Sequence, residues 1–365
     1  MISTDRTVFD RDSAARKRME AYAEALGSPA CPACAGRAGR LTVIVFAIGR
    51  REAQITEKLS LFPTNSFSRF FYIPDAIRIG LSIGKGADVV SAQDPFETGF
   101  AALRIAEKLG IPLHIQVHTN LFAPGFAAAH WPLNALRLMI APSVVARAAG
   151  IRVVSEDMRS ALEERYHPKA HISVLPIYAD LERFAGIARA KHPRFGTTLL
   201  VVSRLEKEKR IPLAVEALKK ARDAGFDCGL VIAGSGREEA ALKRLAERLG
   251  VAEWVEFAGF QNNLVPYYAR ADALLYPGAP YEGYGLAILE ALAAGVPVLA
   301  GNSGGARQMG AEIAEGDFGD ALVAFLRKGL PKASLLYQPY ASKEDYVRKI
   351  AEDLALAASV KDTHP

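Results

Sequence analysis

Short runs of β-branched and aliphatic residues alternate along the whole chain with amphipathic stretches of about ten to fifteen residues, and this alternation narrows the possible folds most. Parallel strands need a crossover connection, so a repeated strand-then-helix pattern reads as βα units around parallel sheets. The pattern predicts strands at Leu41 to Ala47, Asp88 to Ala92, Leu113 to Val117, Gly150 to Val154, Thr198 to Val202, Gly229 to Ala233, Ala273 to Tyr276 and Val296 to Ala300. Between Leu175 and Thr197 it lapses around Pro176, Pro193 and Gly196, as a linker would, before a fresh strand begins. The expected organisation is an N-terminal α/β domain over 1–183, a second α/β domain over 184–343, and a helix and tail over 344–365 that pack back on the first domain. Open α/β sheets bind ligands at the carboxyl ends of their strands, so residues just after strands carry the functional expectation.

With 365 residues, half of them hydrophobic and 23% charged, the chain can bury two cores and is neither disordered nor fibrous. Its longest uncharged stretch, Leu109 to Leu136, is broken by Gln116, His118, Asn120 and three prolines, which argues against a membrane span. Asp5, Arg6, Asp10, Arg11 and Asp12 leave no room for the apolar centre of a secretory signal, so a cytoplasmic protein is expected. Cys31-Pro-Ala-Cys34 is a lone CxxC, without the second ligand pair of a zinc site or the flanking strand and helix of a redox site; it reads as incidental. Residues 1–180 hold 21 basic and 17 acidic side chains and the remainder 24 and 23. That tilt is too mild for nucleic acid but suits an anionic substrate or membrane surface.

The segment Tyr281-Glu282-Gly283-Tyr284-Gly285-Leu286 opens a helix, Leu286 to Ala294, that is apolar nearly all round, with Glu290 as its only charge. A buried carboxylate costs several kcal/mol, of order 2–7, unless a protein cation or a ligand hydroxyl pair satisfies it. Glu282 sits in the glycine-rich turn, where free backbone N–H groups can face an anion or a sugar oxygen. After the strand ending at Val202 comes Ser203-Arg204-Leu205-Glu206-Lys207-Glu208-Lys209-Arg210, then Pro212 and a helix. Cations between a strand end and a helix start suit a diphosphate, though the same run also reads as a solvated charge cluster. Gly234-Ser235-Gly236 lacks the third glycine of a dinucleotide fingerprint and reads as a tight turn. His118 and Asp94 follow strands in the first domain; a lone histidine at a strand end is commonly structural, but this one falls where ligands bind.

Taken together, these motifs resemble the retaining glycosyltransferases of family 4. The similarity is densest from about Ser173 to Gln308, through LPIYADLERF, VVSRLEKEKRIPLAVEAL, LVIAGSG, VEFAGF, ADALLYPG, YEGYGLAILEALAAGVPV and NSGGARQM, and looser through ADVVSAQDPFETGFAALRIAEKLGIPLHIQVHT. The resemblance implies the GT-B architecture, two Rossmann-like parallel-sheet domains facing each other across a cleft. It implies that Arg204 and Lys209 hold the diphosphate of a UDP- or GDP-sugar and that Glu282 contacts hydroxyls of the transferred sugar. Backbone from Gly283 through Tyr284 and Gly285 to Leu286 would touch sugar and phosphate, Glu290 would grip the ribose, and His118 would lie near the sugar. No metal or separate cofactor is implied, and the acceptor would be a glycan or a lipid-linked glycan. The chain departs from the pattern where a glycine pair usually follows the first strand, here ISTDRTVFDRDSAARKR, and at Gln308, where an acidic residue is usual.

Residues 121–151 contain Phe122, Phe126, Trp131, Leu133, Leu136, Leu138, Met139 and Ile140 but only Arg137 and Arg147 as charges. Core packing explains such a stretch; so does an interfacial helix in reversible contact with an anionic membrane. Other functions remain open: a sugar-nucleotide epimerase of the same architecture, and a binding protein without turnover. An NAD-dependent oxidoreductase is disfavoured, since no complete GxGxxG occupies a first βα turn.

Overall fold

A computed structural model of the chain describes residues 1–28, 39–303, 305–337 and 339–360; Cys31, Cys34 and Gly304 lie outside the described residues. Contacts divide the chain into two units. One holds Met1–Leu121, Phe126–Pro176 and the chain from Tyr340 onward, the other Phe122–Gly125 and Ile177–Pro339. The break after Pro176 precedes the expected one at 183. Arg152 donates to the carbonyls of Leu175 and Pro176, and Tyr340 to that of Pro176, which keeps the end of this segment on the first sheet.

The first unit contains β1 (Ile2–Ser3), β2 (Leu41–Val45), β3 (Gln54–Ile55), β4 (Leu59–Pro63), β5 (Val90–Ala92), β6 (Leu113–Val117), β7 (Gly150–Val153) and β8 (His171–Val174), ordered β3-β4-β2-β1-β5-β6-β7-β8. All neighbours are parallel except β3 against β4. Its helices are α1 (Ala14–Leu26), α2 (Tyr72–Ile83), α3 (Glu97–Leu109), α4 (Phe126–Ala129), α5 (Leu133–Ala146) and α6 (Glu156–Tyr166). Buried Ile2 and Ser3 form the central strand, which is too short to show any alternation in the sequence.

The second unit is a wholly parallel sheet of β9 (Thr197–Val202), β10 (Cys228–Ala233), β11 (Val255–Gly259), β12 (Ala273–Tyr276), β13 (Val298–Ala300) and β14 (Glu312–Ile313), ordered β11-β10-β9-β12-β13-β14. Its helices are α7 (Pro212–Asp223), α8 (Glu239–Arg248), α9 (Val265–Arg270), α10 (Leu286–Ala293), α11 (Ala306–Met309) and α12 (Phe318–Arg327). Leu199, Val201, Leu230 and Ile232 of the sheet pack with Val215, Leu218, Leu242 and Phe325 of the helices in one core. Burying each such side chain contributes about 1.5–3 kcal/mol.

The closing helix, α13 (Lys343–Ser359), belongs to the first unit. Ser342 caps it by accepting the Asp345 N–H, and Glu344 and Asp345 complement its dipole. Tyr346, Val347, Ile350, Leu354 and Ala357 recur at helical spacing on its buried side. A Cβ at Gly150 would lie 2.8 Å from that of Ala357, so only glycine lets β7 and α13 approach this closely. Within the buried face, Asp353 receives His114 Nε2 at 2.9 Å and Ser173 Oγ at 2.5 Å.

Candidate functional site

In the second sheet the chain runs outward from β9 in both directions, to β10 on one side and β12 on the other, so the switch point lies between β9 and β12. The loops leaving these two strands diverge there and leave space above the sheet edge, the place where open α/β sheets bind ligands. The β9 loop carries Arg204 and Lys209; the β12 loop carries Glu282 and leads through Gly283, Tyr284 and Gly285 into α10. The Ala279 N–H donates to the Glu208 carbonyl at 3.2 Å and stitches the two loops together.

Lys209 Nζ donates to Glu282 Oε1, and both side chains are less than one-fifth exposed (18% and 17%). The other carboxylate oxygen, Oε2, is buried without a hydrogen bond. It lies against Gly278, where a Cβ would come within 2.7 Å of it and 2.9 Å of the Tyr276 ring. Burial, then the Glu282 carboxylate, hold the Tyr276 phenol well above its ordinary range, so it stays a neutral hydroxyl. Tyr284 OH and, on the loop after β13, Ser303 Oγ are likewise buried and unpartnered. Each such atom costs about 1–3 kcal/mol. Three of them on adjacent loops match a ligand rich in hydroxyl and phosphate groups. Gly283 to Leu286 form the turn into α10, whose first N–H groups have no side-chain cap.

Arg204 is not part of this pair. Its side chain is 72% exposed and sits 3.5 Å from Glu208. Its loop is held by the Leu205 N–H on the Ser235 carbonyl at 2.9 Å and the Glu238 N–H on the Leu205 carbonyl at 3.0 Å. A Cβ at Gly234 would strike the Ser203 carbonyl, and one at Gly236 the Leu205 carbonyl. The tight turn expected at Gly234 to Gly236 thus has a further task, bracing the arginine loop.

Glu290 lies farther along α10. Its Oε2 accepts from Tyr268 OH at 2.9 Å, and Oε1 is 3.8 Å from Arg183 Nη2. Burial raises its carboxyl above the ordinary range, while Tyr268 and Arg183 oppose the rise. Neither partner follows from the local pattern around Glu290, because Arg183 comes from the linker and Tyr268 from α9.

His118 belongs to the first unit. It follows β6, its Nε2 is 3.3 Å from Gln116 Oε1, and its Nδ1 is buried without a partner. Burial, then the positive charges of Arg152 and Arg18, push the imidazole down to about 3. Asp94, also placed after a strand, accepts the Phe96 N–H at 2.8 Å and shapes the turn into α3. Gln308 is exposed. In the segment 121–151 the outcome is mixed: Ala141, Val144 and Val145 are buried, whereas Trp131 (74%), Leu136 and Met139 are exposed. Phe67, Phe70 and Phe71, unremarked in the sequence, are exposed as well. Among the described residues no helix is long and apolar enough to cross a membrane.

Residues 187–316 match the family described as Glycosyl transferases group 1, and residues 31–183 match Glycosyltransferase Family 4. The chain is 37% identical over 188 residues to a GDP-mannose-dependent alpha-(1-6)-phosphatidylinositol monomannoside mannosyltransferase of Mycobacterium tuberculosis, a stretch covering 46% of this chain and 49% of that protein. It therefore spans about half the length of this relative. It is 30% identical over 250 residues to the uncharacterized glycosyltransferase YqgM of Bacillus subtilis, covering 66% and 67% of the two chains. Among solved structures, sucrose-phosphate synthase from Thermosynechococcus elongatus superposes with a TM-score of 0.68 at 17% identity, over 98% of this chain and 93% of that one. HepE from Anabaena, in complex with UDP and glucose, gives 0.63 at 16% identity, over 97% and 94%.

Proposed function

The chain belongs to the family 4 glycosyltransferases, with the GT-B fold, and from that premise we propose that it is a retaining hexosyltransferase. The donor is a nucleotide-diphosphate sugar, UDP- or GDP-linked, and the acceptor is a glycan or a lipid-linked glycan. The observation that carries this reading is the Lys209–Glu282 pair at the switch point, a diphosphate-binding cation beside a carboxylate with one uncommitted oxygen.

In this reading Lys209, with Arg204 swung in from its exposed position, takes the donor diphosphate, and Glu282 Oε2 accepts from sugar hydroxyls. Glu290, held by Tyr268, grips the ribose diol. The anomeric C1–O bond to the diphosphate breaks and the new C1–O bond to the acceptor forms on the same face. The leaving phosphate takes the acceptor hydroxyl proton, so no side chain has to become a strong nucleophile. The two cations stabilise the charge developing on the diphosphate, which leaves no step that demands a metal ion. The mycobacterial relatives act on GDP-mannose by name, which makes it the first donor to test.

The exposed apolar side chains of the first unit support a second element, reversible docking on an anionic membrane where a lipid-linked acceptor resides. Trp131, Leu136 and Met139 lie on or beside α5, and Phe70 stands near Arg69.

The deciding experiment combines a thermal-shift panel of UDP- and GDP-sugars with a transfer assay whose product is read by NMR for anomeric configuration. A donor at a hundred times its dissociation constant stabilises by about 2.7 kcal/mol. Inversion at the anomeric carbon overturns the retaining mechanism. Release of free nucleotide without transfer points to an epimerase, and donor binding with no turnover to a binding protein.

A further inference from the structure

Gln116 and His118 are two residues apart, Gln116 within β6 and His118 just after it. Gln116 Oε1 receives Arg152 Nη1 at 3.1 Å and His118 Nε2 at 3.3 Å. Arginine has donors and no acceptor, so the Gln116 atom facing it is the carbonyl oxygen. The same oxygen faces the imidazole, so the ring nitrogen there, Nε2, carries the proton. Gln116 is 4% exposed and cannot easily turn over, because its amide nitrogen faces Ser91 Oγ at 3.4 Å. Arg152, 2% exposed, is itself fixed: Nε donates to the Leu175 carbonyl at 2.9 Å, and Nη2 to the Pro176 carbonyl at 3.3 Å and Tyr346 OH at 3.2 Å. What is left on His118 is the Nδ1 lone pair, buried and unpartnered. Arg152 from β7 and Arg18 from α1 both act against a second proton on the ring.

We propose that Gln116, braced by Arg152, is a positioning residue that locks His118 as the neutral Nε2–H tautomer and presents Nδ1 as a standing hydrogen-bond acceptor for a hydroxyl of the sugar substrate. The proposal rests on the reading of His118 as a site residue of a glycosyltransferase. It assigns His118 a fixed role in transfer, accepting a hydrogen bond and never supplying a proton. It also explains why a cation is buried beneath a site histidine: Arg152 orients the glutamine oxygen and keeps the imidazole neutral.

The test uses the full chain with 15N-labelled histidine and long-range proton–nitrogen correlation, between about pH 5 and 8 where an ordinary histidine titrates. The wild type should show His118 with a bare Nδ1 and a protonated Nε2 throughout. Gln116→Met keeps the bulk but removes the acceptor and should give mixed tautomers; Gln116→Glu keeps an acceptor oxygen and should retain the Nε2 proton. In the transfer assay Gln116→Met should lower kcat about tenfold, the worth of one hydrogen bond made in the transition state, and Gln116→Glu should recover part of the loss. Affinity for the free nucleoside diphosphate should be unchanged in both. A wild-type proton on Nδ1, an imidazolium at neutral pH, or a Gln116→Met protein with unchanged tautomer and kcat would overturn the proposal. If Gln116→Met does not fold, the wild-type spectrum still decides. Absence of transfer in the wild type would instead sink the glycosyltransfer reading, while the spectra judge the lock separately.

Discussion

Lys209 and Glu282, 73 residues apart in the chain, form an ion pair across the switch point of the second sheet. The cation proposed for the donor diphosphate and the carboxylate proposed for the sugar therefore hold each other when no donor is bound. A partly buried pair of this kind is electrostatically balanced, and removing one member leaves the other uncompensated. Binding of a diphosphate offers Lys209 a second anion and frees Glu282 for hydroxyl groups.

Glu282→Gln should leave affinity for free nucleoside diphosphate unchanged or slightly raised, since Lys209 loses a competitor, while transfer falls steeply. Lys209→Ala should weaken that affinity by about tenfold or more, the loss of a charge-assisted hydrogen bond worth about 1.5–3 kcal/mol. Arg204→Ala should cost less in binding than Lys209→Ala, because its side chain must first leave solvent and Glu208. Titration calorimetry measures all three; equal losses in Glu282→Gln and Lys209→Ala would refute this division.

For Glu290 the pH dependence has a definite sign. Burial raises its carboxyl above 4.5, so on acidification it loses its charge sooner than an ordinary glutamate. Affinity for a nucleoside diphosphate should accordingly fall as pH drops through that raised value, and Glu290→Gln should abolish this step. Tyr268→Phe removes the hydroxyl that lowers the carboxyl and should move the step to still higher pH, with affinity reduced by about 0.5–1.5 kcal/mol. An unmoved step would count against Tyr268 as the brace.

Gly278→Ala should impair transfer without unfolding the protein. The added methyl would meet Glu282 Oε2 at 2.7 Å and displace the carboxylate, while Lys209 stays available to phosphate. The expected pattern is lower kcat with near-normal nucleoside diphosphate affinity; full activity in the variant would show that the placement of Glu282 is not critical.

Asp353→Ala should destabilise the first unit by about 3–5 kcal/mol, as breaking a buried pair does. Burial works to raise the Asp353 carboxyl, but His114, Ser173 and Arg152 outweigh it and hold it below 3.8. Its contribution is therefore present above pH 3.8 and lost as pH falls through the depressed value. His118 acts over a different range. Its folded value of about 3 against 6.5 means that the unfolded chain takes up the proton first, so stability declines as pH falls below 6.5. Denaturant melts against pH should show a shallower decline for His118→Gln, and an acid limb lacking the Asp353 step for Asp353→Ala.

Sedimentation with liposomes tests membrane docking. Binding to vesicles containing anionic lipid should weaken with salt and with Trp131→Ala or Phe70→Ala, both exposed side chains. A protein that stays in the supernatant at low salt would leave a soluble acceptor.

By itself the sequence determined the elements with strong local signals. The β-branched runs at Leu113, Thr198 and Gly229 announce strands because a pleated, two-sided buried strand needs such residues along its length. Pro212 and the apolar run from Leu286 mark helices, and the Glu282 to Leu286 turn is legible because glycines and a lone carboxylate stand out against an apolar helix. Tertiary structure decided what depends on partners far away in the chain. The two-residue strand at Ile2 and Ser3 exists only because β2 and β5 flank it. Lys209 meets Glu282, Tyr268 meets Glu290, and Arg152 turns Gln116 toward His118, although no local pattern links these residues. The physical reason is one of range: hydrophobic period and turn chemistry act over a few neighbouring residues, whereas the pairing of buried polar groups is settled only when the sheets bring distant segments together.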